Sequence, residues 1–439
     1  MIKLKEQYGY NRPKPIDNID DFAAVLGNKS YHKSIKRGEN KAYCYSIHHN
    51  EDDEIKFRFE TSYFIGLDWV VENKLPIYVH PKLDNEAKEV DFLKMLFTAL
   101  KEPQNYNHLD QLCEIDFNKP SIAIHQSQDI LTPFLLIQYL NVLKKIVQKG
   151  LKKSYYPVTE NLNAKVKGKI LVGETIRKNH FKSKMFSSYC QYNEFGINSL
   201  ENKILKKALL FSVSAVQNIV GVDKSSISNL INYVNPAFSN VESNVNVRMI
   251  KNTKSNALYN EYDVAIKLAK VILKKYGYNI SNTKAKLVKT PPFWIDMSKL
   301  FELYVYAKLK ERFKEYNEVT YHKTFNYLEP DFIVNSKDGL TKMVVDAKYK
   351  PRYKDNNIST DDIRQISGYA RLKKVYKFLG YDFTSSINSV IDCLVIYSHQ
   401  NSKRQDFMEE NFKLIEEPEY NKFYKIDIQL PMKSSPIKN

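Results

Sequence analysis

PDFIVN at residues 330–335, SKDG at 336–339 and LTKMVVDAKYK at 340–350 make up the stretch on which the fold reading turns. Two apolar runs flank an Asp-Gly pair, a dipeptide that favours the tight turn of a β-hairpin. The first run opens on Asp331 and the second closes on Asp346 and Lys348. Folding at Asp338-Gly339 therefore brings the two acids to the same end of the hairpin. Side chains alternate across a strand, so Asp346 and Lys348 share a face. Met343-Val344-Val345 reads as a buried run. An ionised carboxylate at its end is costly unless a metal or another cation meets it.

Outward from the hairpin, a helix is expected over about 298–316, a strand over 319–327, a helix over about 361–379 and a buried strand at VIDCLVIY, 390–397. Ser359-Thr360-Asp361-Asp362 has the look of a capping box at the start of the second helix. The order α-β-β-β-α-β implies a mixed sheet flanked by helices. Pro291-Pro292 breaks the chain and sets a domain boundary near 291. Residues 1 to about 128 read mostly as β structure, with Ile55–Glu60 alternating cleanly and Leu75–Leu83 a second strand candidate. Helical patterns follow at 132–148, with Pro133 tolerated in the first turn, and at 199–220, 225–234 and 257–276. The expected fold class is α+β and multi-domain: a β-rich domain over 1–130, a basic and mainly helical connector over 131–290, and a mixed-sheet domain over 291–439.

Composition narrows the function. Apolar residues make up 43% and charged residues 27% of 439, the balance of a globular chain. No apolar run approaches the length of a membrane span, and the start, MIKLKEQYGYNRPKP, lacks an apolar leader. Cys44, Cys113, Cys190 and Cys393 are widely spaced, which argues against a zinc knuckle or a disulfide framework and for a cytoplasmic protein with reduced thiols. The net charge of +17 suggests a polyanionic partner, although Lys-rich composition alone raises it. Distribution favours nucleic acid, because residues 141–190 hold twelve Lys/Arg against Glu160 and Glu174. Lys144, Lys145, Lys152 and Lys153 are the candidate DNA contacts; the alternative is a solvated basic face.

Hydrolysing a phosphodiester requires an activated water, a neutralised phosphate and a stabilised leaving oxygen. A hard cation such as Mg2+, or Mn2+ in its place, serves all three and takes carboxylate and carbonyl oxygens. Asp331 and Asp346 are candidate ligands, with the carbonyl of Ala347 completing the shell. Lys348 would orient water or stabilise transition-state charge. Each has a plainer reading: a turn residue for Asp331, a cross-face ion pair for Asp346 and Lys348. Glu302 lies on an apolar helical stripe with Val305, Tyr306, Leu309 and Phe313 and is a candidate third carboxylate, or else a cap. Gln365, one face with Tyr369, Leu372 and Tyr376, could position water or Lys348, or cap the sheet edge.

These residues carry a resemblance. PPFWIDMSKLFELYVYAKL (291–309), PDFIV (330–334), VVDAKYK (344–350) and DIRQISGYA (362–370) resemble the PD-(D/E)xK nuclease domain of McrC proteins, the endonuclease components of McrBC-type modification-dependent restriction systems. NAKVKGKILVGETIRKN (163–179) with CQYNEFGINSLENKILKKAL (190–209) resembles the family's central region, and FIGLDWVVENKLPIYVHPKL (64–83) its N-terminal domain. The resemblance implies a restriction-endonuclease-like C-terminal fold and a double-stranded DNA substrate. It places Asp331, Asp346 and Lys348 on the motif, Glu302 on the helix acid, and Gln365 with Tyr369 on a Q-x3-Y helix. It also implies a McrB-like AAA+ GTPase ring as partner, engaged by the N-terminal part of the chain. The chain itself offers no phosphate loop: Gly168–Thr175 spaces its glycines suitably, but Glu174 stands where a lysine is needed. Two rivals remain at this point, a stand-alone PD-(D/E)xK nuclease and a non-catalytic DNA-binding regulator of an AAA+ partner.

Overall fold

A computed structural model of the chain describes residues 1–37, 40–51, 55–81, 83–85, 88–125, 131–217, 223–245, 260–281, 287–350, 359–381, 389–399 and 414–433. Contacts gather the chain into two compact units: Met1–Ala123 with Gly221–Ser226 and Lys289–Asn439, and Ile124–Val220 with Ile227–Val288. Helices and strands are mixed throughout, so the chain is α+β as expected. Among the described residues no helix is long and apolar enough to cross a membrane.

The first unit holds the site. Its C-terminal sheet runs in the order Val319–Tyr321, Phe332–Asn335, Lys342–Lys348, Asp392–His399, Phe423–Gln429, Ile415–Glu416. The first three strands are antiparallel neighbours, while Lys342–Lys348, Asp392–His399 and Phe423–Gln429 run parallel, which makes the sheet mixed. Asp392–His399 lies at its centre because nearly all its residues are buried, the signature of a strand covered on both faces. Ile333, Val344, Val395 and Tyr397 pack on one face against Ile363 and Ile366 of the helix Thr360–Ala370 and Val375 of the helix Lys373–Phe378. Burying a Val or Ile side chain contributes about 1.5–3 kcal/mol. On the other face, Phe332 stacks on Tyr306 and Tyr321. Tyr306 belongs to the helix Met297–Arg312, whose cap Asp296 accepts from the Lys299 N–H at 2.9 Å.

Two local differences from the sequence reading have simple causes. The strand expected over 319–327 ends at Tyr321, since His322, Asn326 and Tyr327 adopt positive φ and turn the chain away. The single helix expected over 361–379 is two, Thr360–Ala370 and Lys373–Phe378, with Ser359 as the N-cap of the first.

The strand Phe293–Asp296 is the first element beyond Pro291-Pro292, and it lies in the N-terminal sheet. It pairs antiparallel with Phe64–Val71 on one side and Cys113–Ile115 on the other. Gly66 makes that approach feasible, because a Cβ there would stand 2.2 Å from the Phe293 carbonyl oxygen. Leu75–His80 and Ile2–Lys5 complete this sheet. A second one, Tyr31–Arg37, Asn40–His49 and Phe57–Thr61, contributes Ile35, Tyr45, Ile47 and Phe59 to a shared core with Ile77, Val79 and Trp294.

In the second unit the helices Leu131–Lys149, Leu200–Gln217 and Asn260–Ser281 pack on one another. Residues 218–220 and 257–259 of the helices expected from sequence lie outside the described residues. A buried polar knot locks the bundle: Asn202 donates to the carbonyls of Lys152 and Ile197 and accepts from Tyr262, whose hydroxyl accepts from the Lys152 N–H. From it extends an antiparallel pair, Ser154–Asn163 with Ser187–Gly196, edged by Lys169–Ile170.

Asn105 ties the loop after the helix Phe92–Ala99 to the helix Met297–Arg312, donating to the carbonyls of Ala99 at 2.7 Å and Leu303 at 2.9 Å. The side chain is fully buried. Asn105→Ala is expected to destabilise the chain by about 1–3 kcal/mol, the cost of leaving buried hydrogen-bond partners unsatisfied. Urea unfolding of the two proteins, read by tryptophan fluorescence, measures it.

Candidate metal centre

The hairpin Phe332–Asn335 and Lys342–Lys348 pairs Phe332 with Val345, which leaves Asp331 and Asp346 next in line at its open end. Asp331 reaches across: its Oδ2 accepts the Ala347 N–H at 2.8 Å. On the same strand face as Asp346, Lys348 sets its ammonium 2.7 Å from the Asp346 Oδ2 and donates to the Gln365 Oε1 at 2.9 Å. Gln365 in turn donates to the Tyr369 hydroxyl at 3.0 Å. The period-two and helical-face arguments thus place Asp331, Asp346, Ala347, Lys348 and Gln365 at one locus.

Glu302 arrives from the helix Met297–Arg312 and meets Lys299 at 3.1 Å, the Tyr321 hydroxyl and the His322 Nε2. His322 was not anticipated from sequence. The hairpin register brings it in: Tyr321 pairs with Phe332, and the His322 N–H donates to the Asp331 carbonyl at 3.0 Å. Extending the strand pairing one step beyond Phe332 would have pointed to it. Candidate ligand atoms of Glu302, His322 and Asp331 all lie within 4.8 Å of one another. Asp362 and Lys350 flank the locus as a further ion pair at 2.8 Å, with Tyr397 donating to Asp362.

Charges here are strained in one direction. Burial, then the charges of Asp346 and Glu302, hold the Asp331 carboxyl well above the usual carboxylate range, against the Ala347 N–H and Lys348. Burial also raises Asp346, and Lys348 only partly opposes it. Desolvation pulls Lys348 down, but Asp346, Asp331 and Asp362 prevail and raise it. Glu302 differs: burial would raise it, yet His322, Lys299 and Tyr321 together bring it down to about 2. The Asp346 side chain is 1% exposed and its Oδ1 has no hydrogen-bond partner among the described residues. Clustered hard oxygens, one of them buried without a donor, fit a site that a divalent cation completes.

The basic residues lie in the helical unit. Lys144 and Lys145 are half-buried on the helix Leu131–Lys149, and Lys153 is exposed. Lys152 is paired with Glu201 at 3.4 Å, and Lys149 with Glu261. Acids from distant helices therefore offset part of the local charge that a window count registers.

The fold and site define an α+β chain with a carboxylate-rich, metal-type locus on a mixed sheet. A family model described as McrBC 5-methylcytosine restriction system component matches residues 64–379, and the chain belongs to that family. No curated protein matches it. Among solved structures it is similar to a chain of the refined half-complex from the tetradecameric assembly of Thermococcus gammatolerans McrB AAA+ hexamers with bound McrC. That likeness has 15% identity and a TM-score of 0.38, over 98% of this chain and 94% of that one. A chain of the Thermococcus gammatolerans McrBC complex gives 16% identity and a TM-score of 0.28, over 72% and 89%.

The crowded carboxylates predict a stability effect. A carboxyl whose folded-state pKa is raised contributes stability that is full below its unfolded value and lost as pH rises through the folded one. At neutral pH the metal-free protein therefore carries a cost that Asp331→Asn removes, while the amide oxygen still accepts from Ala347. In EDTA at pH 7.5, Asp331→Asn should be more stable than wild type. Adding Mg2+ should raise the thermal midpoint of wild type by more than that of the variant. Differential scanning calorimetry with and without Mg2+ checks both, and a destabilised Asn variant would contradict the charge reading.

Proposed function

We propose that the chain is the McrC-type nuclease subunit of its restriction system, cutting double-stranded DNA with Mg2+ (or Mn2+) once assembled on a McrB-like AAA+ GTPase ring. The observation that carries the reading is the juxtaposition of Asp331, Asp346 and Lys348 on one hairpin end within a chain of this family. Asp331 and Asp346, with the Ala347 carbonyl, would hold the cation. When bound, it supplies charge neutralisation at the phosphate and a more acidic water.

The protein's own groups do the positioning. An ammonium has three N–H donors, and two of those on Lys348 go to Asp346 and Gln365. The third is available to the attacking water or a phosphate oxygen, where positive charge counts most as negative charge builds. Gln365, held by Tyr369, fixes the direction of that donor. Glu302 adds negative charge at the edge of the locus and orients the residues around it.

The partner reading gains support from an observation that sequence alone did not offer. The arm over 154–196 exposes an unusual number of large apolar side chains, among them Tyr155, Phe181 (80% exposed), Phe186 (82%) and Phe195. Exposed aromatic side chains on one arm, two of them (Tyr155 and Phe195) packed together, are the kind of surface a protein partner covers. The ring interface is therefore proposed to include this arm as well as the N-terminal region first assigned to it. Through that interface the chain would stimulate the ring's NTP hydrolysis.

Reconstitution with a McrB-like ring, GTP and methylated duplex DNA tests the reading. Asp346→Ala should abolish cleavage in Mg2+ while the variant still binds the ring and stimulates its GTP hydrolysis. Cleavage by a folded Asp346→Ala protein would remove the site assignment, and rapid cutting of defined sequences by the chain alone would favour the stand-alone nuclease. A wild-type chain that binds DNA and stimulates the ring without cutting would favour the non-catalytic regulator.

Lys144, Lys145, Lys152 and Lys153 are proposed to contribute sequence-independent DNA affinity. Changing all four to Gln should flatten the slope of log affinity against log salt by about 0.9 for each phosphate left without its lysine. Fluorescence anisotropy over a salt series measures the slope; an unchanged value would return these lysines to a solvated face.

A further inference from the structure

We propose that His322 is a nitrogen ligand in a transition-metal subsite formed with Glu302 and Asp331, beside the cation assigned to Asp331 and Asp346. The inference deepens the proposed nuclease reading by naming the metal class the site prefers.

Three observations carry it. First, the ligand atoms of Glu302, His322 and Asp331 converge within 4.8 Å from three different elements. Second, the imidazole is oriented from behind: its Nδ1 lies 2.7 Å from the Glu329 Oε1. A histidine that ligates a metal usually donates its other ring N–H to a carboxylate in this way, which fixes the tautomer and makes the free nitrogen more basic. The Nε2 points into the cluster, 2.5 Å from the Glu302 Oε1, an ion-pair contact that a bound metal would replace. Third, the donor set is mixed: one imidazole nitrogen with two carboxylates, in a cluster where Glu302, Asp331 and Glu329 exceed the Lys299 ammonium by two charges.

The plainer alternative is a protonated His322 bridging Glu302 and Glu329 as an ion pair. It offsets one of the two charges and makes His322 indifferent to the metal supplied. The two pictures differ in selectivity. An imidazole ligand favours first-row transition ions such as Co2+ or Zn2+ over Mg2+, which prefers oxygen.

Calorimetric titration of the full-length protein with Co2+ and separately with Mg2+, with the visible bands of bound Co2+ as a second readout, tests the assignment. The variant is His322→Asn, because Asn tolerates the positive φ of 49° at this position better than other residues that lack an imidazole. Wild type should bind Co2+ at least about tenfold more tightly than Mg2+, and His322→Asn should lose about tenfold or more of the Co2+ affinity and shift the Co2+ bands. Mg2+ affinity should stay nearly unchanged. Asp331→Asn should weaken both ions. Unchanged Co2+ affinity and bands in His322→Asn would overturn the inference and leave the protonated ion pair. Cobalt binding through His322 in a protein that never cuts DNA would leave it standing and count against the nuclease reading instead.

Discussion

The carboxylate of Asp331 is held inside the sheet's edge by the Ala347 N–H, close enough to Asp346 and Glu302 that each raises the cost of ionising it. Much of the surrounding polar structure answers that repulsion. Lys348 faces Asp346, Lys299 faces Glu302 and Lys350 faces Asp362, each ammonium within 3.1 Å of its acid. Among the described residues, Asp331 is eased by the Ala347 N–H and the charge of Lys348. A protein gains nothing in stability from that arrangement: an apolar replacement of similar shape would pack at lower cost. Strain of this kind, concentrated on one carboxylate, is the pattern of a site kept for chemistry.

What sequence made legible is what depends on local periodicity. The Asp-Gly turn, the alternation that puts Asp346 and Lys348 on one face, and the helical stripe that turns Glu302 inward all act over a few residues. What escaped depends on register and distance. His322 is set by an antiparallel pairing one step past Phe332 and by a left-handed bend that no apolar pattern announces. The terminal strand Phe423–Gln429 reads weakly because Lys425 and Asp427 interrupt its apolar run, although both are buried. The charge of the 141–190 segment looked unopposed because Glu201 and Glu261, which pair with Lys152 and Lys149, lie far along the chain.

Family membership and geometry support different parts of the functional reading. The family fixes the biological setting, a restriction system of the McrBC kind. Geometry says which atoms stand together, including Gln365 and Tyr369, hydrogen-bonded in series to Lys348. The hairpin end, where a carboxylate pair and an ammonium meet on a buried strand, lies inside the matched residues 64–379.

The boundary suggested by Pro291-Pro292 has a physical consequence for how the site is supported. The strand Phe293–Asp296 lies between two N-terminal strands and runs directly into the helix that carries Glu302. Asn105 holds the same helix through Leu303, and the His108 ring packs edge-on against Tyr321 at 4.5 Å. Tyr349, the residue after Lys348, donates from its buried hydroxyl to Glu6 at 2.8 Å. Four N-terminal segments, those of Glu6, Phe64–Val71, Pro103–Gln111 and Cys113–Ile115, thus fix the helix, the tyrosine and the strand end that frame the acids. Deleting residues 1–130 would strip both neighbours from Phe293–Asp296 and expose Trp294 and Ile295, at about 1.5–3 kcal/mol for each large apolar side chain. Loss of activity in such a truncation would therefore report a collapsed scaffold as readily as a missing partner interface. Point changes on exposed surface, in the 154–196 arm or the N-terminal sheets, separate partner binding from site integrity, because they leave the residues behind Glu302 and Lys348 in place.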